Sequence, residues 1–222
     1  SFYKFQREYH FINKSTGINL EIKWKFLSKL FSIQNEPFCH ENEFLREVEL
    51  DQFKVKTISP EYLVLILSIH NASHSFSSLY RFCDISELIK SEDDINWQHL
   101  LEIAGDLGVQ RIFKVNLYIL RELFGIILSE EVLEQINRDK DVEIISEIII
   151  KKLFKPKPWG ILEKVIFHMK IRENRGDKLK TVLNMVFLPT PGVIGKVSLP
   201  RFFEPLYYML RVFQMLKNII NQ

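Results

Sequence analysis

Hydrophobic and polar residues alternate along residues 18–25, the most regular pattern in the chain. The apolar residues of this segment share one side of an extended strand: Ile18, Leu20, Ile22 and Trp24. The polar residues share the other side: Asn19, Glu21, Lys23 and Lys25. Residues 3–12 are rich in aromatic side chains, and residues 13–17 suit a connecting loop. The pattern predicts an antiparallel hairpin formed by residues 3–12 and 18–25.

A hairpin of two strands is only marginally stable by itself in water. It must therefore pack on the helices, or it is the last hairpin of a larger sheet whose earlier strands lie outside this sequence. The chain begins with Ser1 and not with Met. We therefore expect that the natural N-terminus was removed or was not included, and we favour the second alternative.

The rest of the chain has a helical pattern. Residues 28–58 form a predicted connector, with a short helix near residues 44–48 and a short strand at 53–58. Ser59, Pro60 and Glu61 then mark a helix start: an N-cap residue, a proline at the first helical position and an acid in the first turn. At least six helices are predicted after Ser59. The predicted fold class is α+β, mainly α, with the hairpin lobe at residues 1–35 and a helical domain with its connector at 36–222.

Composition narrows the classes of function. The 222 residues are 46% hydrophobic and carry a net charge of only +2, so no strong field indicates a nucleic-acid partner or an anionic membrane. No apolar run reaches the roughly 18 residues of a membrane-spanning helix. The cysteines, Cys39 and Cys83, lack the spacing of a zinc site. We expect a cytoplasmic protein with two reduced thiols.

Two histidines, His70 and His74, lie four residues apart on one face of the predicted helix that follows Ser59. This spacing can chelate a metal ion. Asn71 occupies the position where a zinc peptidase needs a glutamate as base. The favoured interpretation is a polar rim, where a buried helix reaches a cleft.

Three further residues have both an ordinary and a functional interpretation. Arg81 and Asp84 lie one helical turn apart, which is typical of a surface salt bridge. Alternatively, both line one wall of a cleft together with the two histidines. Glu21 is an acid in the middle of a strand, where acids are depleted; it is either a solvated surface residue or a functional carboxylate.

Six short segments follow one another along the chain in an informative order. They are Leu20-Glu21-Ile22-Lys23-Trp24; Ile58-Ser59-Pro60-Glu61-Tyr62; Ser68-Ile69-His70 with His74; Cys83-Asp84-Ile85; Ile95-Asn96-Trp97; and Leu199-Pro200 with Leu206-Tyr207-Tyr208-Met209-Leu210-Arg211. This ordered set resembles an uncharacterised family of bacterial nucleotidyltransferase-fold proteins in the DNA polymerase β-like superfamily. The resemblance covers essentially the whole chain.

The resemblance implies a reaction in which Mg²⁺ ions, held by three carboxylates, assist transfer of a nucleotidyl group from a nucleoside triphosphate to an acceptor hydroxyl. Two of those carboxylates belong to an Asp-x-Asp that follows a Gly-Ser turn, and this combination does not occur in the sequence. The third matches Glu21, although the family pattern has Asp there. Lys23 stands where that pattern has His.

The resemblance therefore implies that Glu21 is a catalytic and metal-binding residue. It also implies that Lys23, His70, His74, Arg81 and Asp84 bind substrate. We expect the chain to be the helical, substrate-positioning portion of such an enzyme, inactive by itself, with Mg²⁺ bound only in the full-length protein. The partners would be a nucleoside triphosphate and an unknown acceptor. The alternative is a non-catalytic helical module that binds another protein.

Overall fold

Within the described residues, two antiparallel hairpins precede the helices. The computed structural model describes residues 8–23, 25, 27, 29–31, 33, 42–92, 94–155, 158–194 and 199–220. Strand β1 (Glu8–Ile12) pairs with β2 (Asn19–Lys23), and β3 (Leu45–Leu50) pairs with β4 (Phe53–Ile58).

The predicted first hairpin is confirmed. In its register, His10 lies opposite Glu21 and Phe11 lies opposite Leu20. The side chain of Asn13 closes the loop by accepting hydrogen bonds from the backbone of the next residues, and Gly17 adopts a positive φ of 72°. Of the predicted strand residues, 3–7 and Trp24 lie outside the described residues, and Ile18 and Lys25 flank β2 without belonging to it.

The interpretation of residues 44–48 as a short helix is wrong, because β3 occupies residues 45–50. Unlike charges face each other across the hairpin, with Glu47 opposite Lys56 and Glu49 opposite Lys54. Such pairs stabilise an antiparallel ladder. Asp51 takes a positive φ of 55° in the two-residue turn, a conformation that Asp tolerates better than most residues. The predicted strand at 53–58 is confirmed as β4.

More than six helices follow Ser59 in the described part of the chain, as predicted. Their bounds are α1 (Pro60–Ser73), α2 (Leu79–Lys90), α3 (Trp97–Asp106), α4 (Gln110–Phe124), α5 (Glu130–Arg138), α6 (Lys140–Phe154), α7 (Ile161–Lys170), α8 (Arg175–Phe187), α9 (Pro191–Ile194) and α10 (Leu206–Ile220). Short 3₁₀ turns lie at Lys29–Phe31, Asn42–Phe44 and Arg201–Phe203. Ser59 is the N-cap of α1, although its buried hydroxyl makes no capping hydrogen bond.

Helix α4 is the centre of the core and packs against α1, α2, α3, α5 and α6. A polar contact crosses this apolar centre. Asn71 of α1 donates a hydrogen bond to the Asn116 side chain at 3.3 Å, and Asn116 donates to the Ser68 carbonyl at 3.2 Å. All three residues are fully buried. Because buried amides must be paired, these bonds fix the register of α1 against α4.

Helices α7 and α8 form a second layer that reaches back to the N-terminal region. Helix α8 packs on α7, on α10 and on the turn Lys29–Phe31. Asn184 of α8 donates a hydrogen bond to the Lys29 carbonyl at 2.9 Å. The architecture confirms an α+β fold that is mainly α. The division of the chain at residue 35 stays a prediction. Among the described helices, none combines the length and the apolar character needed to cross a membrane.

Candidate functional site

Glu21 lies at the centre of a small charged cluster on the polar face of the first hairpin. Its carboxylate is 3.2 Å from Lys23 Nζ and 3.3 Å from His10 Nδ1. Lys23 is two residues along the same strand and therefore shares this face. His10 lies directly opposite Glu21 in the strand register. The side chains are about 40% exposed, so the cluster opens to solvent.

The sequence reasoning did not include His10. The strand register could have identified it, because the loop at residues 13–17 fixes which residues of β1 face those of β2. Ile12 pairs with Asn19, and counting outward from that pair brings His10 to Glu21. A histidine opposite an acid is a common cross-strand pair of unlike charge when the imidazole is protonated.

His70 and His74 lie together at the C-terminal end of α1, as the four-residue spacing predicts. Their ring centroids are 4.7 Å apart, with the planes at 62°. His70 is half-buried and His74 is exposed. Asn71 points instead into the core, where it binds Asn116. The histidines therefore mark the place where a buried helix reaches the surface.

The charges near His74 connect the hairpin to the helices. The pKa of His74 is lowered, first by partial burial, then by the positive charge of Arg81 and then by that of Lys23. Charges act on one another over roughly 10 Å at ordinary ionic strength. Lys23 of β2 and Arg81 of α2 therefore both lie within electrostatic reach of the His74 imidazole.

Arg81 and Asp84 do not form the surface salt bridge that their spacing suggested. Among the described residues, no ion pair connects them. The guanidinium of Arg81 instead lies over the ring of Tyr80, 4.9 Å from its centroid, and Asp84 is exposed. Of the candidate residues, Glu21 thus contacts Lys23, and His70 contacts His74. Electrostatic interaction adds Arg81, whereas no described contact brings Asp84 into the group. The roles assigned to these residues stay predictions.

The described residues do not by themselves form a magnesium site. Mg²⁺ requires several oxygen ligands, whereas the described neighbours of Glu21 are an imidazole nitrogen and an ammonium group. Within the described ranges, no three His, Cys, Asp or Glu side chains come together as metal ligands. Any metal at Glu21 would need further carboxylates and would have to displace Lys23.

The sequence does contain one Asp-x-Asp, Asp139-Lys140-Asp141, which follows no Gly-Ser turn. Asp139 is the N-cap of α6, and its carboxylate accepts a hydrogen bond from the backbone of Asp141. Arg111 Nε lies 2.7 Å from Asp139, and Arg111 Nη1 lies 2.9 Å from Asp141. This pair of acids is therefore occupied in joining α4 to α6.

The residues that directly follow His74 line a cavity of about 330 Å³. Its walls come from the turn after α1 and from the region between α6 and α7: Ser75, Phe76, Ser77, Ile149, Lys152, Pro158 and Trp159. Lys152 Nζ sits 3.9 Å from the Trp159 ring centroid and 2.8 Å from the Glu163 carboxylate. The size is near the lower end of the range for small-molecule sites.

Ser75, one of the residues that line this cavity, also contacts His168. Ser75 Oγ is 3.1 Å from His168 Nε2, and the His168 imidazole is buried. Burial, and to a smaller extent the positive charge of Lys164, together lower the pKa of His168 to about 4. Sequence reasoning missed this pair because 93 residues separate the two side chains, and no local pattern encodes such a contact.

One comparison with known proteins supports the resemblance for the first five of the six ordered segments, and the sixth, at residues 199–211, lies outside the matched range. A family model described as uncharacterised nucleotidyltransferase matches residues 3–125, more than half of the chain and every candidate residue from Glu21 to Asp84. No curated protein and no solved structure matches the chain. The chain therefore belongs to this family of uncharacterised nucleotidyltransferases.

Proposed function

We propose that this chain positions the substrates of a nucleotidyl transfer, with the triphosphate held between the first hairpin and the ends of α1 and α2. Membership of the family supports a general nucleotidyl-transfer role. The observation that carries the more specific proposal is the effect of both Lys23 and Arg81 on His74. Two cations from separate elements thus act on one imidazole, and a polyanion bound beside it would interact favourably with both.

The reaction class assigns a role to each group. The acceptor hydroxyl loses its proton to solvent as its oxygen attacks the α-phosphorus, the bond from that phosphorus to the oxygen bridging to the β-phosphorus breaks, and pyrophosphate leaves. Lys23 and Arg81 would bind phosphate oxygens, and the histidines would donate hydrogen bonds to them. Asp84, which is exposed on the same helix as Arg81, would hold the sugar or the acceptor. The acceptor is unknown; we propose that it enters the cavity lined by Ser75, which follows His74 directly in the chain.

Glu21 would supply one carboxylate to Mg²⁺ in the full-length protein. We propose that the other carboxylates come from outside the described residues, because within them no three potential metal ligands come together and Arg111 engages both Asp139 and Asp141. A single carboxylate cannot hold the ions against water. We therefore propose that the 222-residue chain is inactive alone and that the full-length protein acts in the cytoplasm.

The first experiment measures nucleotide binding. Calorimetric titration of the 222-residue chain with Mg-ATP should give no binding in the micromolar range. Micromolar affinity would contradict the proposal that further carboxylates are needed. Restoring binding by adding sequence upstream of Ser1, if the gene encodes a Gly-Ser turn and an Asp-x-Asp there, would support it.

A second experiment tests the phosphate surface without metal. Titration with inorganic tripolyphosphate should shift the NMR signals of the His74 imidazole. The double variant Lys23→Met with Arg81→Gln should weaken this response. The control Lys14→Met removes one positive charge from the hairpin loop and should leave it unchanged. Equal responses in all three proteins would rule out a specific phosphate site.

The second candidate function is a non-catalytic protein-binding module derived from the same fold. The contact between Lys23 and Glu21 favours it, because an ammonium group 3.2 Å from the carboxylate occupies the place of a metal ion. The sequence upstream of Ser1 distinguishes the candidates. A Gly-Ser turn followed by Asp-x-Asp supports the enzyme, and its absence supports the module.

A further inference from the structure

Helix α10 has an inner face that packs on the protein and an outer face that is also apolar. On the inner face, Tyr207 is buried and accepts a hydrogen bond from the Leu199 backbone at 2.9 Å. Arg211 donates to the Met185 carbonyl of α8 at 3.1 Å. These contacts fix which side of α10 faces the protein, and therefore which side faces outward.

The outer face carries a continuous stripe of large apolar side chains. They are separated by three, four and three residues, and each is between 40% and 64% exposed: Leu206, Met209, Phe213 and Leu216. This spacing keeps the side chains on one line along a helix. It is also the spacing of the seam between two paired helices. Within the described residues, nothing covers the stripe.

The exposed area is large for a monomer. Phe202 and Phe203, in the turn before α10, are 87% and 48% exposed and add to the apolar surface near the start of the helix. Taking about 150–250 Å² for a fully exposed aromatic side chain, the six residues expose on the order of 600 Å². That value is at the upper end of the apolar patches found on monomers, and it approaches the roughly 800 Å² that each partner buries in a stable complex.

We propose that this stripe, defined by Leu206, Met209, Phe213 and Leu216, is the interface with a second copy of the same chain, with the two α10 helices antiparallel. In a dimer with twofold symmetry, the same surface of each copy contacts the other copy, and an apolar stripe can pair with an identical stripe in this way. The neighbouring positions Leu210 and Val212 are apolar, so no buried charge opposes the pairing. A partner of strongly acidic or basic character would find nothing complementary here.

The charges at the two ends of the stripe favour the antiparallel arrangement. Glu204 precedes α10, and Lys217 lies in its last turn. The two residues are 13 positions apart, which corresponds to about 20 Å at 1.5 Å per helical residue. Antiparallel pairing brings Lys217 beside the partner's Glu204 at both ends. Parallel pairing would place Lys217 beside the partner's Lys217, which is unfavourable.

The test is the oligomeric state of the 222-residue chain, measured by sedimentation equilibrium from low to high micromolar concentration. We expect a monomer–dimer equilibrium, and Phe213→Asp should raise its dissociation constant by about tenfold or more. The control is Ile127→Asp, which places the same charge on a residue 93% exposed outside the stripe. Circular dichroism shows whether each variant keeps its helical content.

The charge-swap variants test the orientation. Glu204→Lys and Lys217→Glu should each weaken the dimer, and the double variant should restore it. A wild-type chain that stays monomeric over the whole range overturns the proposal, and so does an equal response to Phe213→Asp and Ile127→Asp. Failure of the double variant to restore association contradicts the antiparallel pairing.

Discussion

Lys23 of β2 lies close enough to His74, at the end of α1, for its charge to lower the pKa of the imidazole. The two residues are separated by the whole second hairpin and most of α1. The first hairpin and the end of α1 are therefore close enough in the fold for a charge on one to act on a side chain of the other. Arg81 of α2 acts on the same imidazole and more strongly.

The first prediction concerns the titration of His74. Removing either cation should raise the pKa of His74, because a neighbouring positive charge disfavours the protonated imidazole. Arg81→Gln should raise it more than Lys23→Met, since Arg81 has the larger effect. The pH dependence of the His74 Cε1–H signal in NMR spectra measures both shifts.

Lys14→Met is the matched control for this titration. It removes the same charge from an exposed position in the loop between β1 and β2, and we expect no change at His74. Equal pKa values in wild type and Lys23→Met would mean that the hairpin does not approach the end of α1.

The second prediction concerns stability in acid. Burial lowers the pKa of His168 to about 4 in the fold, whereas an unfolded histidine titrates near 6.5. The unfolded chain therefore binds this proton first. The contribution of His168 to the free energy of unfolding is therefore fully present above about pH 6.5 and is lost as the pH decreases toward 4. The loss is about 3 kcal/mol, because each pKa unit corresponds to about 1.4 kcal/mol.

Urea unfolding at a series of pH values measures this loss. His168→Gln keeps a polar partner for Ser75 but cannot be protonated, so its stability should vary less between pH 6.5 and 4. His99→Gln replaces an exposed histidine and should retain the wild-type slope. If His168→Gln loses stability in acid as steeply as wild type, His168 is not buried as a neutral imidazole.

The features that could be predicted from the sequence are those with a local cause. Strict alternation predicted β2, and the Ser59-Pro60 pair located the start of α1. The strand β3 was missed because its pairing with β4, not its own residues, stabilises the extended form. Likewise, Arg172 donates to the Phe31 carbonyl across 141 residues, and the contact of Ser75 with His168 is similarly distant. Such contacts depend on the packing of α7 and α8, which no sequence period encodes.

The third prediction concerns Arg111, which joins three segments. Its guanidinium contacts Asp139, Asp141 and the Lys170 carbonyl at 2.7–2.9 Å, and its backbone N–H donates to the Glu173 carboxylate. Arg111→Met keeps much of the side-chain volume but leaves half-buried Asp139 without this partner. Removing one member of a largely buried ion pair costs roughly 3 kcal/mol, which urea unfolding at neutral pH should detect.

Arg138→Met is the control for Arg111. Arg138 pairs with Glu134 at 3.3 Å on an exposed helix face, where such pairs contribute little. We expect its free energy of unfolding to change by less than about 0.5 kcal/mol. Similar losses in the two variants would show that Arg111 is no more than a surface residue.

The last prediction separates backbone strain from close approach at two glycines. Gly108 and Gly125 have nearly the same positive φ, 64° and 66°, so alanine should strain the backbone equally, by about 1–2 kcal/mol. A Cβ at Gly125 would meet nothing within 4 Å, whereas one at Gly108 would lie 2.9 Å from Asp177 Oδ2 and 3.5 Å from Arg172 Nη2. The buried Arg172 has Asp177 as its ion-pair partner, so Gly108→Ala must also displace that carboxylate. We therefore expect Gly108→Ala to lower the free energy of unfolding more than Gly125→Ala does. Equal losses would mean that the Arg172–Asp177 pair adjusts without cost and that Gly108 is required only for its backbone conformation.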